Sequence, residues 1–452
     1  MKEKNIDLTQ GVIWKKLLKF FFPVFIGCVF QQIYTSVDAI IVGQFVGKDG
    51  LGAIDAVSSM LRLPVIFFCG LSTGATIMIS QFFGGGKTKE LSQAVHTAVA
   101  FAIIAGFFLS VLGLLIAPLS LELLEVPDTI YESTLAYVRI YFAGLLVILL
   151  YNIGAGILRA NGDSKSPSTA LVIAGIVNIV LDLMFVAVFR WGIAGAALGT
   201  VIAELVSAII VINALLKAKG SWKLRISSIR FHKKMLSSIL RFGLPLALQG
   251  SMYPVANMIV QASINKTGTT SLAAWALCSK LDFPIWITMD ALAATISVFV
   301  AQNVGAKQEA RALRGVRMGM LFSLGIVLAF SAVLFFFSGP LGTIFINKKD
   351  YDIIPITTDY MRFLAPFYFT YVFGEIFASA MRGAGEMIKP MLAILFGTCA
   401  MRVAWMLAVV PRFFHMKVIM SCFPISWVIT SIVISIMYIR FRCKLIQYPI
   451  EL

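Results

Sequence analysis

Residues 98–121 read AVAFAIIAGFFLSVLGLLIAPLSL and contain no charged side chain. A helix that crosses the hydrocarbon core of a bilayer needs about 20 consecutive apolar residues, so this stretch is long enough to span a membrane. Residues 318–346 and 418–439 are likewise free of charge. Each of the three is apolar on all sides, whereas a surface helix of a soluble domain carries a polar face. The sequence therefore predicts a polytopic, all-α membrane protein.

The composition of the whole chain supports that class. Hydrophobic residues make up 59% and charged residues 13%, and the mean hydropathy is +0.90. Soluble domains have about 45–50% apolar and about 25% charged residues. We predict twelve transmembrane helices, at residues 17–46, 51–81, 95–117, 134–158, 167–189, 193–216, 239–265, 270–301, 316–338, 357–381, 390–411 and 418–439.

The distribution of positive charge predicts the orientation. With the N-terminus inside, 26 of the 38 Lys and Arg residues fall in or beside cytoplasmic segments and 7 in outer segments. This asymmetry follows the positive-inside rule. We therefore expect both termini and the basic segment 217–238 to lie on the cytoplasmic side of the cell (inner) membrane. There the net charge of +16 faces anionic lipids, so nucleic acid is not an expected partner.

The chain contains two copies of one unit. Arg159-Ala-Asn-Gly162-Asp163, with Pro167, matches Arg382-Gly-Ala-Gly385-Glu386, with Pro390, at an offset of 223 residues. Other pairs of segments match at offsets of 221 to 223. The sequence thus predicts an N-terminal six-helix bundle at 1–216, a cytoplasmic basic linker at 217–238 and a C-terminal six-helix bundle at 239–452. Six spans per copy is an even number, so the two copies have the same orientation and form a parallel repeat.

A parallel repeat of this kind is typical of transporters. We expect two bundles that enclose a cavity near the membrane midplane and open it to either side by rocking. The short motif Gly84-Gly85-Gly86-Lys87 is predicted to be a turn, because it lacks the spacing of a phosphate-binding loop.

Four polar residues inside predicted spans of the first copy are candidate cation ligands: Asp38, Asn178, Asp182 and Thr200. Ionisable residues inside a membrane are costly and usually functional. Asn178 and Asp182 are four residues apart and share one helix face. The set offers oxygen ligands for Na⁺, and two neighbouring carboxyl groups can equally share a proton.

The second copy lacks these groups. At the repeat offsets Asp38 corresponds to Val260, Asn178 to Met401 and Asp182 to Trp405. The fold therefore does not require them, and we expect the cation site in the first half alone. The alternative is that Asn178 and Thr200 only form hydrogen bonds between helices.

Further polar, aromatic and Met residues are candidates for the wall of the substrate cavity: Gln32, Tyr34, Asn152, Met252, Tyr253, Asn257, Met289, Asp290 and Glu375. Lys280 and Asp282 are expected to neutralise each other. Pro23 lies inside the first span and is a candidate hinge, because proline removes one helix hydrogen bond.

In order and spacing, several motifs resemble the multidrug and toxic compound extrusion (MATE) family over about residues 12–440. They are Pro23 with Val37-Asp38, Gln81 to Gly84, the two Arg-Gly turns already described, Gly192 to Thr200, and Ala301 to Ala306. The resemblance implies twelve helices in a V shape and export of amphipathic, often cationic drugs in exchange for Na⁺ or H⁺. It also implies that Asp38, Asn178, Asp182 and Thr200 are the family's first-half cation site.

In one respect the chain departs from a bacterial branch of that family. The branch has acids in helices seven and ten where this sequence has Tyr253 and Tyr371. A second-half cation site is therefore not expected, and the chain is more similar to the DinF-like side of the family.

Two other functions fit the sequence less well than drug export. A lipid-linked oligosaccharide flippase would need a strongly cationic cavity, whereas the candidate residues here are acidic or neutral. A membrane-embedded enzyme would need paired acids for Mg²⁺ or a nucleophile with its base, and no such motif occurs in the sequence. We thus expect no cofactor besides the coupling Na⁺ or H⁺, and a monomer whose partners are small-molecule drugs and membrane lipids.

Overall fold

A computed structural model describes residues 6–347 and 351–447, with side chains described up to 443. The chain termini, which we predict to be cytoplasmic, lie outside these residues. All regular secondary structure in the described part is helical. The α-helices are α1 Ile13–Phe45, α2 Lys48–Gly84, α3 Thr88–Leu123, α4 Asp128–Ala160, α5 Lys165–Asp182, α6 Gly192–Leu216, α7 Lys233–Asn265, α8 Thr269–Leu281, α9 Phe283–Gly305, α10 Glu309–Gly342, α11 Ile353–Leu364, α12 Tyr368–Gly383, α13 Ile388–Ile394, α14 Met401–Ala408, α15 Met416–Met420 and α16 Cys422–Gln447.

The all-helical, twelve-span prediction is confirmed, although several spans are interrupted. Eleven helical segments of the described residues are long and apolar enough to cross a membrane. The remaining predicted span, the seventh, corresponds to α7, which is not among those eleven but has 33 residues. The predicted span 270–301 is divided at Asp282 into α8 and α9, next to Pro284, which has no backbone N–H to continue a helix.

Two spans contain a π-helical segment. Leu183–Val188 follows α5 directly, and Leu395–Ala400 joins α13 to α14. π-Helical turns inside α-helices occur often at functional sites. The first segment begins immediately after Asp182, one of the candidate cation ligands.

The described residues pack as two compact units. Unit 1 comprises residues 6–8 and 18–247, and unit 2 comprises residues 9–17, 248–347 and 351–447. The division falls inside α7. In unit 1, the backbones of Gly74 and Gly243 are so close that a methyl group on Gly74 would lie 2.4 Å from Cα of Gly243. The first part of α7 therefore packs against α2. The domain boundaries drawn from the sequence repeat stay a prediction.

The matched Arg-Gly motifs form equivalent turns in the two units. Gly162 follows α4 with φ +84° and Gly385 follows α12 with φ +100°, a backbone conformation that favours glycine. After Gly162, the Asp163 carboxylate accepts hydrogen bonds from the backbone N–H groups of Lys165 (3.1 Å) and Ser166 (2.9 Å), and so caps α5. The turn predicted after Gly84 is also present, with Gly86 at φ +65°.

The linker between α6 and α7 is attached to α3. Nε2 of His96 accepts a hydrogen bond from the backbone N–H of Arg225 (3.0 Å), while Nδ1 lies 2.7 Å from the carbonyl oxygen of Ser92. The hydroxyl of Thr97 accepts from the backbone N–H of His232 (3.2 Å). These bonds fix the linker to the same end of α3 at which that helix begins.

Candidate functional site

Three of the four predicted cation ligands are brought together in unit 1. Asp38 lies on α1, and Asn178 and Asp182 lie in the last part of α5. Asn178 and Asp182 are fully buried, whereas Asp38 is half-buried. The carboxyl groups of Asp38 and Asp182 face each other, and the amide of Asn178 faces Asp182. Two carboxyl groups and an amide thus share one enclosed space.

Five of their six side-chain polar atoms are buried without a conventional hydrogen-bond partner among the described residues. This holds for Oδ1 of Asp38, both carboxylate oxygens of Asp182, and both amide atoms of Asn178. The side chains are close enough to interact electrostatically but do not have hydrogen-bond geometry. A buried polar group without a partner costs free energy, and a buried ionised carboxylate costs considerably more. The cluster therefore suits a cation or a proton, either of which would offset the negative charge.

Helix α6 closes the other side of this cluster. A methyl group on Gly199 would lie 2.4 Å from Oδ1 of Asp182, so the carboxylate packs directly against the α6 backbone. The hydroxyl of the next residue, Thr200, donates to the carbonyl oxygen of Ala196 on its own helix (3.0 Å). Its oxygen keeps lone pairs that can still accept a hydrogen bond or bind a cation.

A third acid beside this cluster, Glu204, is not among the residues predicted from the sequence. Glu204 is half-buried on α6, one turn beyond Thr200. Its Oε2 accepts a hydrogen bond from the Ser207 hydroxyl (3.2 Å), and its carboxyl group also interacts with the hydroxyl of Tyr34. Tyr34 precedes Asp38 by four residues, as Thr200 precedes Glu204. This spacing puts Tyr34 and Glu204 in a layer beside the aspartates, and it could have identified Glu204 from the sequence.

The other predicted residues of unit 1 have local roles. Asn152 donates to the carbonyl oxygen of Ile148 (2.8 Å) and accepts a weak hydrogen bond from the Cys69 thiol (3.4 Å). Gln32 is half-buried on α1. Pro23 lies within α1, which continues as one helix on both sides of it.

In unit 2, Glu375 is not an isolated charge, because it forms an ion pair with Arg382. Its Oε1 accepts from the guanidinium of Arg382, seven residues later, and from the Ser379 hydroxyl (3.2 Å). Its Oε2 accepts from Tyr371 (3.3 Å). Both charged side chains are largely buried, with 15% and 9% of the side-chain surface exposed. The negative charge of Glu375 is therefore already neutralised within its own helix.

Unit 2 also contains a cavity of about 400 Å³. Of the predicted cavity residues, Tyr253 and Asn257 line it. Met252 is exposed on α7, and Asp290 is exposed on α9. Met289 is buried in the packing, with 1% exposed. These three residues are not part of its wall.

The expected pairing of Lys280 with Asp282 is wrong. The Asp282 carboxylate accepts a hydrogen bond from the Tyr368 hydroxyl (2.8 Å) and interacts with the Trp286 side chain. Lys280 instead lines a separate cavity, whose wall also includes Asp352. Residues two apart on a helix point in different directions, which explains the error.

Comparisons with known proteins identify the family and the fold. The family model described as MatE matches residues 23–184 and 245–405. The probable multidrug resistance protein YoeA of Bacillus subtilis is 23% identical over 86% of this chain and 85% of its own. A protein of Shewanella oneidensis named FAD transporter is 25% identical over 88% of each chain. A solved structure described as the outward-facing conformation of a multidrug resistance MATE family transporter is 20% identical, covers 99% of this chain and 100% of its own, and superposes with a TM-score of 0.92, which shows a shared fold.

Proposed function

The chain belongs to the MatE family of membrane transporters, and from this premise we propose that it exports amphipathic, often cationic, drugs or toxic compounds in exchange for Na⁺ or H⁺. Export would proceed by alternating access, in which drug and coupling ion favour different states of one bistable protein. The drug part of the proposal is supported by relatives named as multidrug resistance proteins. The assignment to the DinF-like side of the family stays a prediction.

The observation that carries the coupling part is the enclosed acidic cluster of unit 1. Two aspartates face each other beside an amide, and both carboxylate oxygens of Asp182 and Oδ1 of Asp38 have no conventional hydrogen-bond partner among the described side chains. Two ionised carboxylates in a poorly hydrated space repel each other. A bound Na⁺ or proton removes that repulsion and allows α1 to pack more closely on α5 and α6. This repacking is the step that we propose to alter drug affinity.

An acidic cluster also distinguishes the proposal from its nearest alternative. A flippase for lipid-linked oligosaccharides moves a substrate that contains a pyrophosphate, and an acidic cluster repels that group. The two aspartates and Glu204 of unit 1 therefore favour an antiporter with a cation as its second ligand. The flippase remains the alternative function.

The proposal can be tested with purified protein in proteoliposomes. Efflux of a cationic dye should respond to an imposed Na⁺ or H⁺ gradient, each applied separately. Asp38→Asn and Asp182→Asn should abolish that response, because each amide keeps the shape of the side chain but removes its charge. Asp55→Asn is the matched control, since Asp55 is an exposed acid of unit 1 on α2. Gradient-driven efflux at the wild-type rate in both cluster variants would contradict the proposal.

A further inference from the structure

The cavity in unit 2 has a wall unlike that of the acidic cluster. Six aromatic side chains line it: Tyr253, Trp275, Trp286, Tyr371, Phe423 and Trp427. The indole of Trp275 stacks on Phe423 with ring centroids 5.4 Å apart, and Trp286 meets Tyr371 edge to face at 5.2 Å. A cavity of about 400 Å³ falls within the range of small-molecule sites, about 300–1,000 Å³. The wall therefore presents ring faces and edges to any occupant.

Arg402 is the one arginine among the described residues of this wall, and it is 2% exposed. Its Nη1 donates to Oδ1 of Asn257 (2.8 Å), and its Nε donates to the Ser426 hydroxyl (3.2 Å). The guanidinium lies over the rings of Phe423, at 4.6 Å, and Tyr253, at 5.7 Å. All four partners are electrically neutral. The charge of Arg402 is held in place by these contacts but is not cancelled by them.

The ion pairs of the described residues do not include Arg402. Of the nearby acids, Asp282 lines the cavity but is held by Tyr368 and Trp286, and Glu375 is paired with Arg382. A buried cation without a counter-ion is costly, and in a membrane protein it marks a functional site. The planar guanidinium is also suited to bidentate binding of a carboxylate or a phosphate.

We infer that this cavity binds a flat aromatic molecule bearing an anionic group, with its rings among the tryptophans and its anion at Arg402. The aromatic wall provides stacking surface for the rings, and Arg402 supplies the counter-charge. Asp282, at the junction of α8 and α9, lines the same cavity, and its negative charge disfavours a second anionic group on the ligand. The site therefore prefers a ligand with one anionic end.

This site goes beyond the export of cationic compounds. In the repeat, Met401, the neighbour of Arg402, corresponds to Asn178 of the acidic cluster. The two copies thus carry charges of opposite sign on corresponding helices, and unit 2 accepts a ligand that the acidic cluster of unit 1 would repel. The inference does not depend on which ion drives transport, or on whether transport is coupled.

Ligand binding to the full-length purified protein tests the inference. Tritiated 2-naphthoate would be bound in a scintillation proximity assay and displaced by three unlabelled compounds that share one ring system: 2-naphthoate, naphthalene-2-carboxamide and 2-naphthylmethylammonium. A charge-assisted hydrogen bond to a buried site should make the amide and the ammonium weaker competitors by about tenfold or more. Equal displacement by all three would overturn the inference, because the ring alone would then determine binding.

Variants assign the binding to this cavity. Arg402→Gln should weaken 2-naphthoate by about tenfold or more, and Arg402→Lys by less, because it keeps the charge without the planar fork. Arg362→Gln is the matched control, because Arg362 is another arginine of unit 2 and lies outside the cavity wall. This variant should bind 2-naphthoate as the wild type does. Trp275→Ala should also weaken binding, because Trp275 lines the same cavity. It replaces Arg402→Gln as the test if the melting temperature shows that Arg402→Gln does not fold. Wild-type affinity in folded Arg402→Gln, or in Trp275→Ala, would contradict the assignment.

Discussion

The carboxylate of Asp182 lies against the backbone of Gly199, so closely that a methyl group on Gly199 would lie 2.4 Å from Oδ1. Helix α6 thus determines where a candidate cation ligand on α5 can be. No larger residue fits at position 199 without displacing that carboxylate.

The first prediction is that Gly199→Ala lowers the apparent affinity for the coupling cation. Overpacking a filled site costs about 1–3 kcal/mol, so the affinity should fall by about tenfold. The measurement is efflux from proteoliposomes as a function of Na⁺ or H⁺ concentration. Gly52→Ala is the control, because a methyl group on Gly52 has no described atom within 4 Å. If both variants show wild-type affinity, Asp182 does not bind the cation in this position.

The second prediction concerns the layer of Tyr34 and Glu204. Glu204→Gln should raise the KM for a cationic drug and leave that for a neutral drug unchanged, because it removes one negative charge beside the aspartates. Tyr34→Phe and Glu204→Gln should be non-additive, with an interaction energy of about 0.5–3 kcal/mol, since the two side chains are in contact. Glu132→Gln serves as the control, because Glu132 is an exposed acid in the first part of α4. Additive effects would show that Tyr34 and Glu204 act separately.

The third prediction compares two ion pairs of unit 2. The pair of Glu375 and Arg382 is largely buried. In the pair of Glu386 and Lys389, 34% and 56% of the side-chain surface is exposed. Glu375→Gln should destabilise the protein by about 3–5 kcal/mol, because it leaves a buried guanidinium unpaired. Glu386→Gln should cost about 0–1 kcal/mol. Thermal unfolding in detergent distinguishes them. Equal melting temperatures of the two variants would mean that the Arg382 guanidinium has another counter-ion besides Glu375.

How far the sequence predicts the site depends on how local each signal is. Asp38, Asn178 and Asp182 could be found because acids inside apolar helices are rare and because two of the three share a helix face. The glycine turn at Gly162 was predictable because it follows a helix and recurs 223 residues later. Glu204 carried the same kind of signal, as a lone acid one turn from Thr200.

The surroundings of Arg402 carry no such signal. Its partners Asn257, Tyr253, Phe423 and Ser426 come from α7 and α16, far apart in the sequence. Only packing brings these helices around α14, so the sequence shows an arginine in a span and not the aromatic cavity beside it. The division of a predicted span at Asp282 is similarly a result of packing, since its carboxylate is held by Tyr368.

The fourth prediction is the topology. A cysteine at Ser227, which is exposed in the linker, should react in intact cells only with a membrane-permeant maleimide. A cysteine at Ser133, which is exposed near the start of α4, should react with an impermeant maleimide as well. Both follow from the excess of Lys and Arg in the predicted cytoplasmic segments. If the impermeant reagent labels Ser227→Cys as fast as Ser133→Cys, the linker lies outside the cell and the predicted orientation is wrong.

The last prediction concerns the motion of α1. Pro23 removes one hydrogen bond within this helix, so bending requires less energy there than elsewhere. Asp38 lies fifteen residues beyond Pro23 and faces Asp182. When the coupling cation neutralises the two carboxylates, α1 can approach α5 and α6, and the part of α1 beyond Pro23 should move.

A pair of spin labels can measure this movement within unit 1. Labels at Ile33 on α1 and Leu205 on α6, both exposed, would be placed in a chain whose six native cysteines are replaced. The distance distribution should shift on adding Na⁺ or on acidification, and the shift should be lost in Asp38→Asn and reduced in Pro23→Ala. Pro64→Ala, at a proline inside α2, should retain it. A distribution that stays constant in wild type under every condition would leave Pro23 as a fixed feature of α1 without a part in coupling.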